Sequence, residues 1–322
     1  MTIEAIREFI ADDLKAVDEV IRARLRSDVV LIRQIAEYII AGGGKRLRPL
    51  LLVLSARACG YEGTHHHELA AVVEFIHTAT LLHDDVVDES GLRRGRPTAN
   101  ALFGNSASVL VGDFVYSRAF QMMVGVENIE VLRVLADATN VIAEGEVMQL
   151  MNCRNADLDE QGYLQVIRYK TAKLFEAATR LGAVLGRSGP AIEQAMAAYG
   201  AHLGTAFQLI DDVLDYSGDQ GVIGKNVGDD LAEGKATLPL IYVMKRGTRE
   251  QGAVVRHAIE QGGLDELGSV LEAIRASGAL DYARTQARKE ADAACAALEA
   301  LPRSKSRDYL LELTGFAVTR TF

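Results

Sequence analysis

Apolar residues along this chain recur mostly at spacings of three and four, the period of a helix with one buried face. The pattern predicts helices over roughly 3–25, 29–41, 47–60, 66–88, 105–125, 128–152, 161–187, 190–216, 237–247, 250–262, 265–276, 279–299 and 305–320. The strict alternation of a half-buried strand does not occur. The helical pattern breaks at Gly42 to Pro49, Gly91 to Pro97 and Gly218 to Gly234, each stretch both glycine-rich and charged. No low-complexity linker and no shift in composition divides the chain. Residues 1–322 are therefore expected to form one all-α domain.

Composition fits a helical domain with a large core: 322 residues, 49% hydrophobic, with only five prolines. A net charge of −9 argues against a nucleic-acid partner but leaves room for a local basic cluster that binds anions. Cys59, Cys153 and Cys295 are too few and too scattered for a disulfide framework or a zinc site. Acids interrupt the apolar pattern of the first twenty residues, so no signal peptide is expected, and no apolar run reaches the length of a membrane span. A soluble cytoplasmic protein is the expectation.

Two acid clusters stand out within the helical pattern, Asp84-Asp-Val-Val-Asp88 and Asp211-Asp-Val-Leu-Asp215. Residues four apart share a helix face, about 6 Å apart along the axis, so Asp84 pairs with Asp88 and Asp211 with Asp215. Each cluster is a solvated helix end, a general acid/base pair or a claw for a metal ion. Gly91 and Gly218 are the expected stops of the two helices, which puts both clusters at C-terminal ends. That end carries partial negative charge, so carboxylates there need a compensating cation. Oxygen ligands suit magnesium, which takes one or two carboxylates and fills its shell from water and substrate phosphates. An acid/base pair is less apt, because no partner separates the aspartate pKa values. His65-His-His67 has the look of a metal site, but its position predicts the opening of a helix with Thr64 as N-cap.

Basic loops accompany the acids. Gly43-Gly44-Lys45-Arg46-Leu47-Arg48-Pro49 sets cations and glycines at a helix start, where backbone donors favour an anion. Arg93, Arg94 and Arg96 follow the first acid cluster, and Lys225 and Lys235 follow the second. A single such loop is usually plain surface. An acid claw followed by a basic loop, twice over, points to two diphosphate groups bridged by metal.

On these residues the sequence resembles the trans-polyprenyl diphosphate synthases over nearly its whole length. The carriers are GGGKRLRP at 42–49, EFIHTATLLHDDVVDES at 74–90, RRGRPTAN at 93–100, YKTAKLF at 169–175, GTAFQLIDDVLDYSGD at 204–219 and GKNVGDDLAEGKATLP at 224–239. Within that family, SASVLVGDFVYSRAFQMM at 106–123 is most similar to the bacterial branch that makes eight-unit products.

The resemblance implies an all-α bundle of the isoprenoid synthase type around a central apolar cavity, assembled as a homodimer. It implies condensation of an allylic diphosphate, farnesyl diphosphate, with isopentenyl diphosphate, for quinone side chains. Asp84, Asp88 and Asp211 would bind about three magnesium ions, with Asp85, Asp212 and Asp215 ordering metal-bound water or completing the shell. Arg93, Lys170 and Lys235, with Lys225, would hold the allylic diphosphate; Lys45, Arg48, His77 and Arg94 would hold isopentenyl diphosphate. Thr171 and Gln208 would face the allylic carbon. His77 also has a plain reading as a core histidine, although it lies two turns before Asp84 on the same face.

Product length follows from the face running back from Asp84 through Thr80, Ala79, Ile76, Val73, Val72 and Leu69. Short-chain members of the family close this route with aromatic residues where Thr80 and Ala79 stand. Small residues there imply a long product, 40 carbons, with 45 or 50 as alternatives and Met123 as the floor. Two other classes remain in view. A regulatory subunit of a heteromeric synthase usually lacks a claw, and a terpene cyclase needs neither GGGKRLRP nor a second acid cluster. At most transient membrane contact is expected, for product release.

Overall fold

The structure is a computed structural model that describes residues 3–42, 46–93, 95–217, 227–262 and 264–320. Among these residues the chain is helical almost throughout, in agreement with the predicted class. The first helices are α1 (Ile3–Phe9), α2 (Ala11–Arg24), α3 (Val30–Ala41), α4 (Leu47–Ala58) and α5 (His65–Val87). A two-stranded hairpin follows, β1 (Leu92–Arg93) and β2 (Arg96–Pro97), then α6 (Ala99–Phe103), α7 (Asn105–Gly125), α8 (Ile129–Asn152) and α9 (Glu160–Ile167). A π-helical turn, Arg168–Ala172, joins α9 to α10 (Lys173–Leu185), and α11 spans Pro190–Ser217. The remainder is α12 (Asp229–Ala232), α13 (Leu238–Arg246), α14 (Arg249–Gln261), α15 (Leu267–Ser277), α16 (Ala279–Ala297), a 3-10 turn and α17 (Lys305–Thr319).

The fold comprises two compact units. The first holds residues 1–139, 174–200 and 297–313; the second holds 140–173, 201–296 and 314–322. In the first, α4 is apolar nearly all round and Pro49 to Ala56 are buried, as a central helix requires. The middle of α5 is likewise enclosed from Leu69 to Val73, and α5 packs along α7 as well as on α2 and α4. Gly182 of α10 lets that helix press on α4, since a Cβ there would meet Ser55 at 2.5 Å. The core of the second unit gathers Leu209, Val213, Leu231, Leu240, Val255 and Ile274 with an alanine stripe on α16, Ala279, Ala283 and Ala287. Alanine every fourth residue is what brings a mostly polar helix close to its neighbours.

Three local expectations are corrected. Thr64 occupies the N-cap position of α5 but makes no side-chain cap bond. Its ψ of −8° is helical rather than extended, so the hydroxyl does not turn back to the first N–H groups. The Tyr61 hydroxyl instead accepts from the His65 N–H at 3.2 Å. Secondly, Glu89 (φ 52°), not Gly91, is the left-handed residue that ends α5, and Ser90 N–H closes the stop on Asp85 O at 2.9 Å. Gly218, the expected stop of the second acid helix, lies outside the described residues. Thirdly, Gly91 to Pro97 is not an irregular break alone: Leu92 pairs with Pro97 and Arg93 with Arg96 in an antiparallel ladder turned at Gly95 (φ 71°).

His66 and His67 join a compact ionic cluster. Asp13 Oδ1 lies 3.1 Å from His66 Nε2 and 2.9 Å from His67 Nε2, and Arg57 Nε donates to its Oδ2 at 2.5 Å. Among the described residues this is the set that brings three metal-capable atoms within 4.8 Å of one another. Arg57 already neutralises the carboxylate, and the positive N-terminus of α5 disfavours a cation there. The cluster instead ties α2 to the start of α5.

Candidate active site

The two acid clusters show one pattern of burial. In the first, Asp84 and Asp88 are half-buried, whereas Asp85 is buried. In the second, Asp211 and Asp215 are half-buried and Asp212 is buried. The middle acid of each motif is therefore the more enclosed, and the outer two, one helical turn apart, are partly exposed.

In the first unit Asp85 accepts two hydrogen bonds from Arg93, from Nε at 2.8 Å and Nη2 at 2.6 Å. The hairpin delivers Arg93 to this position. It is tied down in turn by Asn100 Nδ2 donating to Asp85 O at 3.1 Å and by Thr98 Oγ1 donating to Ser90 O at 2.7 Å. Burial raises the Asp85 carboxyl above its ordinary pKa, and Arg93 works against that rise. A cavity beside it is lined by Arg46, His77, Arg93 and Arg96 together with apolar side chains such as Phe75 and Leu82. Arg48 stacks over the Phe175 ring at 4.6 Å. His83 lies 3.3 Å from Asp113 of α7, close against Gly112.

In the second unit a chain of hydrogen bonds leads inward from the π-helical turn. Thr171 Oγ1 donates to Gln208 Oε1 at 3.0 Å, Gln208 Nε2 donates to Asp212 Oδ1 at 2.8 Å, and Tyr163 donates its hydroxyl to Asp212 Oδ2. Burial and the charge of Asp230 push Asp212 up to about 8, against the pull of its two donors. Burial, with the Asp212 charge beside it, holds the Tyr163 phenol well above its usual range, so it stays a donor. The widened turn closes with Lys173 N–H on Arg168 O, five residues back, and it carries Lys170 and Thr171 side by side. Lys170 Nζ pairs with Glu146 Oε2 at 2.6 Å, and Lys235 Nζ pairs with Glu233 Oε2. Asp215 caps α12 through the Asp230 N–H at 3.4 Å.

Sequence reasoning missed Arg320. Its side chain is almost wholly enclosed over the Phe207 ring, and Nη2 donates to Asp211 Oδ1 at 3.0 Å and Phe207 O at 2.8 Å. No spacing rule links a C-terminal arginine to an acid motif so far back in the sequence. Glu146 was missed for the same reason. Lys45, Arg94 and Lys225 lie outside the described residues. Of the residues proposed to set product length, Ala79 and Met123 are fully enclosed. Thr80 is half-buried and returns its hydroxyl to His77 O at 2.8 Å.

The donor set suits a hard cation. Every candidate ligand is a carboxylate oxygen at a helix C-terminus, with no sulfur or imidazole among them. Neither cluster gathers three protein donors within 4.8 Å among the described residues.

Comparisons with known proteins identify the family and the fold. A family model described as polyprenyl synthetase matches residues 29–275. The octaprenyl diphosphate synthase of Escherichia coli K12 is 56% identical over 321 residues, which cover 99% of each chain. A polyprenyl synthase from Caulobacter crescentus, solved with calcium and isoprenyl diphosphate, superposes with a TM-score of 0.96 at 46% identity, covering 100% of this chain and 98% of that one. A decaprenyl diphosphate synthase from Rhodobacter capsulatus gives 0.94 at 44% identity, with 100% of both chains covered. With most of its length inside the family match and its fold shared end to end, the chain belongs to the polyprenyl synthetase family and is a prenyltransferase.

Proposed function

We propose that this prenyltransferase extends farnesyl diphosphate with isopentenyl diphosphate units to an all-trans C40 diphosphate that supplies quinone side chains. The observation that carries the reading is the burial pattern shared by the two acid motifs. In each, the middle aspartate is buried on protein donors, while the outer pair, Asp84 with Asp88 and Asp211 with Asp215, is half-buried and is the proposed source of oxygen ligands. Asp84, Asp88 and Asp211 would hold about three magnesium ions, with Asp215 completing the shell. Asp85 and Asp212 act from behind, fixing Arg93 and Gln208.

Magnesium, when bound with the substrate, supplies positive charge against the departing diphosphate. Arg93, Lys170, Lys225 and Lys235 hold that diphosphate from the protein side. Lys45, Arg48, His77 and Arg94 bind isopentenyl diphosphate, and the cationic and apolar lining of the cavity at His77 suits a short tail with a charged head. Thr171 commits its proton to Gln208, so its oxygen lone pairs remain for the allylic cation. Gln208 is oriented by Asp212, which keeps its carbonyl on the Thr171 side. After the new carbon–carbon bond forms, a proton leaves to the released diphosphate, and no side-chain nucleophile takes part.

Small side chains at Ala79 and Thr80 admit a long product, and Met123 is the proposed floor; C45 and C50 are the alternative lengths. A homodimer is proposed from the resemblance to the family; Leu110, Val124 and Ile129 of the first unit, exposed at 67%, 61% and 71%, are apolar side chains that such an interface would cover. No helix among the described residues is long and apolar enough to cross a membrane, which fits a cytoplasmic enzyme with transient membrane contact at product release.

Purified protein incubated with farnesyl diphosphate, labelled isopentenyl diphosphate and magnesium is expected to yield dephosphorylated C40 alcohol on chromatography. Activity should vanish on chelation and return with added magnesium. Condensation that survives chelation would remove the metal assignment, and a dominant C45 or C50 alcohol would replace the C40 one. Light scattering of the same sample is expected to give twice the chain mass.

A further inference from the structure

Each of the two described lysines assigned to the allylic diphosphate already has a carboxylate partner. Lys170 Nζ stands 2.6 Å from Glu146 Oε2, with the two side chains 18% and 27% exposed. Lys235 Nζ stands against Glu233 Oε2, with side chains 17% and 24% exposed. In both places a glycine fixes the glutamate. Gly145, just before Glu146, lets the backbone of α8 press on the π-helical turn, because a Cβ there would meet Lys170 N at 2.6 Å and Tyr169 C at 2.9 Å. Gly234, between Glu233 and Lys235, takes a φ of 75° and accepts from Arg154 N–H at 2.8 Å. Two separate parts of the second unit thus build the same device.

We propose that Glu146 and Glu233 are positioning residues that hold the ammonium groups of Lys170 and Lys235 in competition with diphosphate, yielding them when substrate binds and reclaiming them to expel inorganic diphosphate after each condensation. This rests on the reading of the two lysines as diphosphate ligands. An ammonium with little exposure needs a counter-charge at all times, or its desolvation goes uncompensated. A carboxylate supplies that charge between turnovers and then repels the bound diphosphate from close range. The exchange is one ion pair for another; no covalent bond is made or broken, and neither glutamate touches the reacting carbons. An enzyme that adds many units must discharge diphosphate at every step, so a built-in competitor raises throughput while weakening ground-state binding.

The test is calorimetric titration of the full-length protein with inorganic diphosphate and magnesium. Glu146→Gln and Glu233→Gln keep side-chain volume and remove charge. Each is expected to bind inorganic diphosphate about two- to fivefold more tightly, a range set by solvent-screened pairs. The KM for farnesyl diphosphate should fall by a similar factor, and kcat should fall with it as diphosphate release slows. A merely structural role predicts the reverse, weaker binding together with a lower melting temperature. Unchanged or weaker diphosphate binding in a variant that melts normally overturns the assignment for that glutamate. Lys170→Gln and Lys235→Gln separate the two layers. If they bind diphosphate normally, the lysine reading itself fails; if they bind it weakly while the glutamate variants show no tightening, only the exchange fails.

Discussion

At the scale of single residues, the aspartates of each motif divide into two kinds, and substitution should separate them. Asp84→Ala and Asp211→Ala each remove a half-buried oxygen ligand, so turnover should drop at least a hundredfold, roughly the most that loss of an outer-shell partner costs. Melting should be unchanged for Asp84→Ala, whereas Asp211→Ala also strips the enclosed Arg320 of its carboxylate and should melt lower. Asp85→Ala strips a buried partner from Arg93 and should cost about 1–3 kcal/mol in chemical denaturation. Near-normal turnover in a folded Asp84→Ala protein would remove the metal assignment. Asp13 offers a second test, by pH. Burial alone would raise its carboxyl, but donors from His66, Arg57 and His67 outweigh that and hold it well below the ordinary range. A depressed folded pKa means the stabilisation is complete above the unfolded value of about 4 and fades as the pH falls below it. Asp13→Asn should therefore destabilise by about 1–2 kcal/mol at pH 7, discounted for the exposed Arg57, and the gap to the parent should shrink from pH 5 to pH 2. A gap that does not vary with pH would show that the effect is packing rather than charge. The spacing of the aspartates was legible in the sequence because it repeats within one turn of helix. The partners of the middle acids were not, since Arg93 arrives by a hairpin, and Tyr163 from another helix.

At the scale of elements, the long helices declared themselves through apolar period, and α5, α7, α8 and α11 lie close to their expected bounds. The short pieces did not. The hairpin strands, α6 and α12 hold five residues or fewer apiece, too few for any period to emerge. The π-helical turn is invisible for a different reason: the expected helix over 161–187 keeps its apolar face on both sides of the turn, and only the inserted residue widens it. Gly145 reports the constraint. A glycine inside an exposed helix ordinarily gains up to about 1 kcal/mol on change to alanine, and Gly268 in α15, with nothing near its missing Cβ, should behave that way. Gly145→Ala should instead lose about 1–3 kcal/mol, as overpacking does, and lower kcat by shifting Lys170 and Thr171. Denaturant curves of the two variants check the opposite signs; a gain at Gly145 would show that the turn yields without strain.

At the scale of the whole molecule, class and family were legible because the motifs are long, ordered and spread along the chain, whereas product length rests on a few side chains within an otherwise shared fold. The Caulobacter and Rhodobacter structures superpose on this chain almost completely, and the second of them is a decaprenyl diphosphate synthase, so the backbone by itself does not choose the number of units. On the proposed reading the choice falls to the α5 face behind Asp84, where the two small residues differ in surroundings: Thr80 is half-buried, and Ala79 has no exposed surface. Thr80 is not fully packed, so tyrosine there should shorten the product by several units at a preserved melting temperature. Tyrosine at Ala79 has no room, so it should both shorten the product and reduce stability by about 1–3 kcal/mol, the range for overpacking a filled core. Chromatography of the dephosphorylated products alongside thermal melts distinguishes these effects. A C40 product from a folded Thr80→Tyr enzyme would mean that the growing chain leaves the acid motif along another face, and the search for its floor would then move from Met123 to the remaining faces of α7.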